Sequence, residues 1–299
     1  MDIELTSYAG WSNCIRVSNP LVDLVITTVV GPRVIRFGFV GDRNEFKEYS
    51  QMLGKTGGDE WRIYGGHRLW HAPEQMPRSY YPDNGDVEYL LLADGALLIQ
   101  PVEHTTGIQK EIEIHLDPQK ARVQVIHRLR NCGLWDVELA PWALSVMRPG
   151  GTAILPLPPR QRHDQNLLPV NSLSMWAYTD FSDPRWSLGN QYLLLRQDPQ
   201  RVAPQKIGLM DCAGWIACAN GGHLFVKKFQ YQASASYPDF GSNVETFTND
   251  EMLELETLGP IARLQPGQTV EHPETWLLFR DVTTPQNDAD VTKALLPLI

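Results

Sequence analysis

The chain has 299 residues, of which 42% are hydrophobic and 20% are charged. This balance is typical of a globular protein, and large β-sandwiches often reach this length as one unit. The formal net charge is -9, so the surface as a whole repels nucleic acid and anionic membranes. We therefore expect no nucleic-acid or membrane partner, and a neutral or cationic ligand rather than a polyanion.

The cysteines and the N-terminal residues are the basis for predicting the cellular compartment. None of the four cysteines, Cys14, Cys132, Cys212 and Cys218, forms a CxxC pair or has zinc-finger spacing. The first ten residues, MDIELTSYAG, lack the charged and apolar regions of a signal peptide. No apolar run approaches the roughly 20 residues that span a bilayer. We expect a cytoplasmic protein with reduced thiols; two disulfides are the alternative for a secreted chain.

Strand patterns and turn signals predominate along the chain. Alternating apolar and polar residues predict strands, and clusters of Gly, Pro, Asn and Asp predict the turns between them. The predicted hairpins cover residues 89–100, 111–130 and 215–230, and Pro266-Gly267 separates two further apolar runs in 263–279. Only Asn287–Leu296 has the periodicity of a short helix. This pattern predicts an all-β sandwich or barrel, with 1–299 as a single domain because no repeat or composition shift divides it.

The most distinctive segment is Trp61–Glu74, with the sequence WRIYGGHRLWHAPE. Its glycine pair permits unusual backbone angles, and we expect a loop that carries polar and aromatic side chains into a ligand site. Trp61 and Trp70 have flat rings that suit the apolar face of a pyranose. The alternative is a structural loop, with the tryptophans in the core and the arginines paired with Asp59 or Glu74.

The same segment raises the question of a metal site. His67 and His71 are four residues apart, as in metal-binding helices. However, the glycine pair and Pro73 oppose a regular helix, and no HExxH frame is present. We therefore expect no metal here.

A second cluster lies in residues 237–260. If Leu253–Leu258 is a strand, Glu254 and Glu256 project to one face, and such paired carboxylates have perturbed pKa values. This favours a ligand role for at least one of them; a solvated edge face is the alternative. Lys228, beside Lys227, is a candidate cationic partner or else a surface lysine.

A third cluster, Trp176–Trp186, combines aromatic residues with Asp180 and two further charged residues. It either lines a pocket or forms an ordinary turn. Several other chemistries have no support, because the sequence contains no GxSxG elbow, no GxxxxGK[ST] loop and no GxGxxG fingerprint.

The order of these motifs resembles the galactose mutarotase-like, or aldose 1-epimerase, superfamily, and more closely its DUF4380-type branch. Residues 30–38, VGPRVIRFG, with Gly41 and Asn44, look like the opening strands of the superfamily. Residues 64–74, YGGHRLWHAPE, look like the signature of the branch. Residues 254–258, ELETL, resemble the late segment that carries the catalytic glutamate, which would be Glu256. The resemblance implies a supersandwich of antiparallel sheets with a concave sugar-binding face.

The resemblance also implies a mechanism. A glutamate takes the proton of the anomeric hydroxyl, a histidine protonates the ring oxygen, and the ring opens and closes on its other face without metal or cofactor. The histidine of the family is missing from the corresponding stretch 139–147, LAPWALSVM. His67 is the substitute acid, with His71 or His104 as fallbacks.

Three functions follow from this resemblance. The first is an aldose 1-epimerase with Glu256 and His67 as catalytic residues. The second is a saccharide-binding module without catalysis, and the third is a saccharide lyase or hydrolase on the same scaffold. The expected partner is a sugar or sugar derivative, and the expected substrate-binding residues are Arg68, Trp70, His71, Asp180, Lys228, Glu245 and Glu254.

Overall fold

The computed structural model describes residues 1–299 and consists mainly of antiparallel strands. The helical elements are two short helices, α1 (Pro238–Gly241) and α2 (Asp288–Ala294), and one 3-10 turn, Leu296–Leu298. The prediction of an all-β sandwich is confirmed.

Eleven strands form the first sheet, numbered here in chain order and given in spatial order. They are β1 (Asp2–Tyr8), β2 (Trp11–Ser18), β3 (Val22–Thr27), β4 (Arg33–Phe39), β5 (Gly66–Ala72), β10 (Val137–Met147), β19 (Leu253–Leu258), β18 (Val244–Thr248), β15 (Gln205–Leu209) and β12 (Leu173–Met175), with β20 (Ala262–Leu264) paired to β10.

Ten strands form the second sheet. In spatial order they are β13 (Trp186–Leu188), β14 (Tyr192–Arg196), β11 (Thr152–Pro156), β16 (Trp215–Asn220), β17 (Gly222–Phe229), β21 (Thr269–Val282), β9 (Arg122–Asn131), β8 (Ile108–Leu116), β7 (Gly95–Ile99) and β6 (Glu88–Leu91).

The core lies between the two sheets. One cluster of 38 buried hydrophobic residues combines side chains from the facing sides of both sheets. In β8 every second position is buried, and these positions are apolar except for Lys110, whereas the polar residues between them are half-exposed. Period-two alternation of this kind gives the strand one apolar face. A smaller cluster of 11 residues covers the outer side of the second sheet beneath α2.

The three predicted hairpins and the helix are confirmed, whereas the two runs in 263–279 do not pair with each other, because β20 pairs with β10 and β21 pairs with β9 and β17. The run 111–130 forms the β8–β9 hairpin with a tight register, Glu113 opposite Ile126. The run 215–230 forms the β16–β17 hairpin. In α2, the Asn287 side chain accepts a hydrogen bond from the backbone N–H of Asp290 and so caps the helix.

The predicted loop in Trp61–Glu74 is wrong for its central part. Residues Gly66–Ala72 form β5, a fully buried strand between β4 and β10. Gly65 and Gly66 have φ values of 101° and 71°, which L-residues with a side chain rarely adopt. A Cβ would lie 2.0 Å from the Lys47 carbonyl oxygen at Gly65 and 2.3 Å from the Val34 carbonyl oxygen at Gly66. The glycines therefore allow the chain to enter the sheet between close backbones.

Candidate functional site

The pairing of the central strands of the first sheet brings the predicted residues onto one face. In the β5–β10 pair, Trp70 lies opposite Trp142 and Arg68 opposite Leu144. In β19, Glu256 lies opposite the same Leu144. Because directly opposed residues in a sheet project to the same side, these side chains share the face that points away from the second sheet.

The same argument extends to the neighbouring strands. Glu256 is also opposite Glu245 of β18, and Phe247 is opposite both Glu254 and Lys206 of β15. Three glutamates and one lysine from three adjacent strands therefore meet on this face.

An inner cavity of about 220 Å³ lies over this part of the sheet. We define it by its lining residues: Trp61, Ile63, Arg68, Trp70, Glu74, Tyr80, Trp142, Leu144, Tyr178, Lys206, Phe247, Met252 and Glu254. Aromatic rings surround it together with two cations and two carboxylates. This combination fits a small polar molecule with an apolar face, such as a sugar ring.

Lys206 is the centre of the charge cluster beneath this cavity. Its Nζ lies 2.8 Å from Glu245 Oε2 and 3.1 Å from Glu256 Oε2. The ammonium is also 4.8 Å from the ring centroid of Trp142 and 4.7 Å from that of Trp176. Both glutamates have no exposed surface and Lys206 has 5%, so these charges depend on each other for compensation.

Glu256 has one oxygen held and one oxygen free. Its Oε2 accepts hydrogen bonds from Trp142 Nε1 at 2.8 Å and from Lys206 Nζ. Its Oε1 has no hydrogen-bond partner. Since Trp142 and Lys206 both line the inner cavity, the carboxylate lies directly beneath the cavity floor.

Arg68 and Glu254 form the second charged pair of the cavity. Arg68 Nη2 donates a hydrogen bond to Glu254 Oε1 at 3.0 Å. The guanidinium carbon lies 4.7 Å from the ring centroid of Trp70, a cation–π distance that also orients the indole.

Burial raises the pKa of two of these glutamates. The pKa of Glu245 lies well above its usual value because burial disfavours the charged form, although Lys206 opposes this shift and Glu256 adds to it. The pKa of Glu254 is raised by burial and by Glu256, against the effect of Arg68. The pKa of Lys206 is raised well above normal, because its two carboxylate neighbours outweigh burial. The site therefore holds an ammonium beside carboxyl groups that keep protons more readily than usual.

His67 does not reach this face. It belongs to the opposite side of β5, is fully buried between the sheets, and its ring nitrogens contact Ser145 Oγ at 2.8 Å and His127 Nε2 at 2.7 Å. Burial lowers its pKa well below normal. The structure thus separates His67 from Glu256 by the thickness of the sheet, contrary to the expected acid–base pair.

The inter-sheet cluster around His67 also has the composition of a metal site. His67, His127 and Glu274 bring candidate ligand atoms within 4.8 Å of one another. However, Glu274 is paired with the buried Lys227 ammonium at 2.8 Å and accepts a hydrogen bond from Trp276 Nε1 at 2.7 Å. Because an ammonium already compensates Glu274, this donor set does not favour a divalent cation.

His71 and His104 lie away from the inner cavity as well. His71 is on the same side of β5 as His67, with its Nε2 3.5 Å from Glu103 Oε2. It lines a separate cavity of about 330 Å³. His104 is exposed, and its Nδ1 lies 2.8 Å from the hydroxyl of Tyr81. Neither imidazole lines the inner cavity.

Two other expected binding residues also lie elsewhere. Lys228 is in β17 of the second sheet, where its Nζ donates to the carbonyl oxygen of Ile299 at 3.1 Å. Asp180 is exposed and its carboxylate accepts hydrogen bonds from the backbone and hydroxyl of Ser182. Only its neighbour Tyr178 lines the cavity. Of the expected residues, the structure brings together Arg68, Trp70, Glu245, Glu254 and Glu256.

Sequence reasoning missed Lys206 and Trp142. Lys206 is a single lysine in the short run Gln205–Leu209, and its partners are about 40 and 50 residues away in the chain. Trp142 lies in residues 139–147, the stretch that contains no histidine. Its alternation with Leu144 is the one local signal that both side chains share a face.

The fold is that of galactose mutarotase-like proteins. No family model and no curated protein matches the sequence. Among solved structures, a galactose mutarotase-like protein from Lactobacillus casei superposes with a TM-score of 0.59 at 9% identity, over 89% of this chain and 100% of that one. A galactose mutarotase related enzyme from Lactobacillus acidophilus gives 0.54 at 8%, over 91% and 98%. The Slr1438 protein from Synechocystis gives 0.58 at 11%, over 94% and 99%. The predicted superfamily fold is thereby confirmed.

The helices are relevant to whether the chain can cross a membrane. None of the helices has the length and apolar character that crossing a bilayer requires.

Proposed function

We propose that the chain binds a sugar in the inner cavity and interconverts its anomers. The observation that carries the proposal is the cavity itself, at the centre of one sheet of a mutarotase-like fold, with tryptophan rings and Glu254 in its lining and the buried Glu245 and Glu256 on the same face of the sheet. A galactose mutarotase-like protein and a galactose mutarotase related enzyme have the same fold. They support a sugar ligand for this chain.

In this proposal Glu256 is the base. Its Oε2 is held by Trp142 and Lys206, and its Oε1 is free to accept a proton. An anomeric hydroxyl that reaches Oε1 would meet a carboxylate still held by Trp142 and Lys206. The fixed carboxylate then takes the proton of the anomeric hydroxyl.

In this proposal Glu254 is the general acid, the role that a histidine has in the superfamily. It lines the cavity, and burial raises its pKa above the usual glutamate value, so it keeps its proton to a higher pH than an exposed glutamate does. That proton goes to the ring oxygen, the ring opens, the carbonyl end rotates, and closure returns both protons. Arg68 and Lys206 would balance the negative charge as it moves between the two carboxylates.

The test is anomer exchange, measured by NMR saturation exchange on a panel of neutral and phosphorylated aldoses with and without protein. Glu256→Gln keeps the shape of the side chain and removes the base, so we expect the catalysed rate to fall by about 10²–10⁴-fold. The matched control is Glu88→Gln, which changes an exposed carboxylate in β6. An unchanged rate in Glu256→Gln would remove Glu256 from the mechanism.

A second candidate is sugar binding without turnover. Two residues of β10 lie near Glu256: Trp142 and Leu144. They favour this candidate, because neither side chain can donate a proton to a ring oxygen as histidine does. Saturation transfer from protein to a sugar, combined with no acceleration of its anomer exchange, would select this candidate over the first.

A further inference from the structure

A second and larger cavity lies next to the inner cavity. We call it the outer groove and define it by six of its lining residues: Trp61, Tyr80, Tyr81, Asn84, Gly85 and His104. Trp61 and Tyr80 line both spaces. Their rings are 5.2 Å apart between centroids and nearly perpendicular, at 81°. This aromatic pair therefore forms a ridge between the two.

The sizes of the two spaces differ in a way that matters for the ligand. The inner cavity has about 220 Å³ and the outer groove about 650 Å³. Ligand clefts typically have about 300–1,000 Å³. The inner cavity is smaller than this range and has room for one small ring at most, whereas the outer groove lies within the range and has room for a further ring.

The chemistry of the outer groove suits a neutral polar ligand. The inner cavity contains Arg68, Glu74, Lys206 and Glu254. The only carboxylate that lines the groove is the exposed Asp59, and the other polar side chains carry hydroxyl, amide or imidazole groups. Sugar rings bind to such surfaces through aromatic faces and hydroxyl hydrogen bonds.

The wall of the groove is fixed before a ligand binds. The buried side-chain amide of Asn84 donates hydrogen bonds to the carbonyl oxygens of Gly58 at 3.0 Å and Glu60 at 2.7 Å. Its Oδ1 accepts a hydrogen bond from the Tyr64 hydroxyl at 2.9 Å. These bonds tie two loop segments together, and such preorganisation lowers the entropy cost of binding.

We propose that the outer groove is a subsite for a second sugar unit, so that the preferred ligand is a reducing oligosaccharide rather than a free monosaccharide. This inference rests on the proposed function, because it places the reducing-end ring in the inner cavity. The next unit then crosses the ridge of Trp61 and Tyr80 and packs against Tyr81.

Gly85 allows a sharp test of the groove. A Cβ at this position would meet no atom within 4 Å, and the residue is outside the positive-φ set. Gly85→Phe therefore adds a bulky ring at the lining of the groove without straining the backbone. Tyr81→Ala is the complementary change, which removes a ring from the groove. Trp135→Ala is the matched control, because it removes an aromatic ring that is 80% exposed and outside the groove.

Isothermal titration calorimetry would compare D-glucose and D-galactose with cellobiose, maltose and lactose. We expect one disaccharide to bind about tenfold more tightly than its monosaccharide, as one added aromatic contact can provide. Gly85→Phe and Tyr81→Ala should each abolish this advantage and leave the monosaccharide Kd unchanged, whereas Trp135→Ala should keep it.

The possible failures are distinguishable. Equal binding of monosaccharides and disaccharides, or an advantage that survives Gly85→Phe, would overturn the subsite and leave the proposed function intact. No binding of any sugar in the panel would overturn both.

Discussion

Replacing Lys206 by methionine removes the ammonium that lies 2.8 Å from Glu245 and 3.1 Å from Glu256. Both carboxyl groups are completely buried. Removing one partner of a buried ion pair costs about 3–5 kcal/mol, because the remaining charge is left without compensation. Methionine retains most of the apolar packing of the lysine stem, so the loss is mainly electrostatic.

The effect should depend on pH, and its sign follows from the pKa shifts. The pKa of Lys206 is raised, so its contribution is fully present below the normal lysine pKa, and lysine titration plays no part between pH 5.5 and 8. The pKa of Glu245 is also raised, and Lys206 opposes that rise. Without the lysine, the carboxyl groups protonate more readily as the pH falls. The stability difference between wild type and Lys206→Met should therefore be larger at pH 8 than at pH 5.5.

Thermal unfolding followed by circular dichroism at both pH values is the assay. With an unfolding entropy of about 2.1 cal/mol/K per residue, a loss of 3–5 kcal/mol lowers the Tm of this chain by about 5–8 °C. Lys55→Met is the matched control at an exposed lysine, where we expect less than about 0.5 kcal/mol. A Lys206→Met variant with the stability of the control at both pH values would refute the electrostatic reasoning.

Three further predictions concern other parts of the molecule. His67→Gln should lower the free energy of unfolding in urea by about 1–3 kcal/mol, since it breaks buried bonds to Ser145 and His127; a tenfold weaker sugar Kd would contradict its inter-sheet role. Asn19→Ala should cost about 2–4 kcal/mol, because its side chain makes two hydrogen bonds within the β2–β3 turn and two to the β8–β9 turn; urea unfolding close to wild type would contradict this. The anomer-exchange rate should fall as the pH rises through the raised pKa of Glu254, because the acid loses its proton; a rate still rising at pH 9 would contradict that role.

The parts of the fold that the sequence predicted are those determined by neighbours in the chain. The β8–β9 and β16–β17 hairpins need only a turn and two alternating runs. The capped helix α2 is equally local. In contrast, β5 has no solvent-exposed face, because all seven of its residues are buried. Its sequence therefore lacks the apolar–polar alternation of a half-exposed strand, and its histidines and arginine resemble those of a loop.

The sequence predicted the carboxylates of the site but not their cationic partner. The alternation of Glu254 and Glu256 correctly placed both on one face, since that depends on one strand alone. The counter-charge was misassigned to Lys228, because the pairing of β15 with β18 that brings in Lys206 is not visible locally. The DUF4380-type branch, the cytoplasmic compartment and the single domain over residues 1–299 stay predictions.

The tight approach of Gly65 and Gly66 to the backbones of Lys47 and Val34 has a consequence for variation in this chain. It prevents β5 from slipping by one residue, a shift that would exchange every side chain between the two faces of the sheet. With the register held in this way, the two faces of β5 can change independently. Substitutions at Arg68 or Trp70 can alter which ligand is bound, while substitutions at His67 or His71 alter the joint between the sheets. A side chain at either glycine would disturb both at once, without touching a ligand.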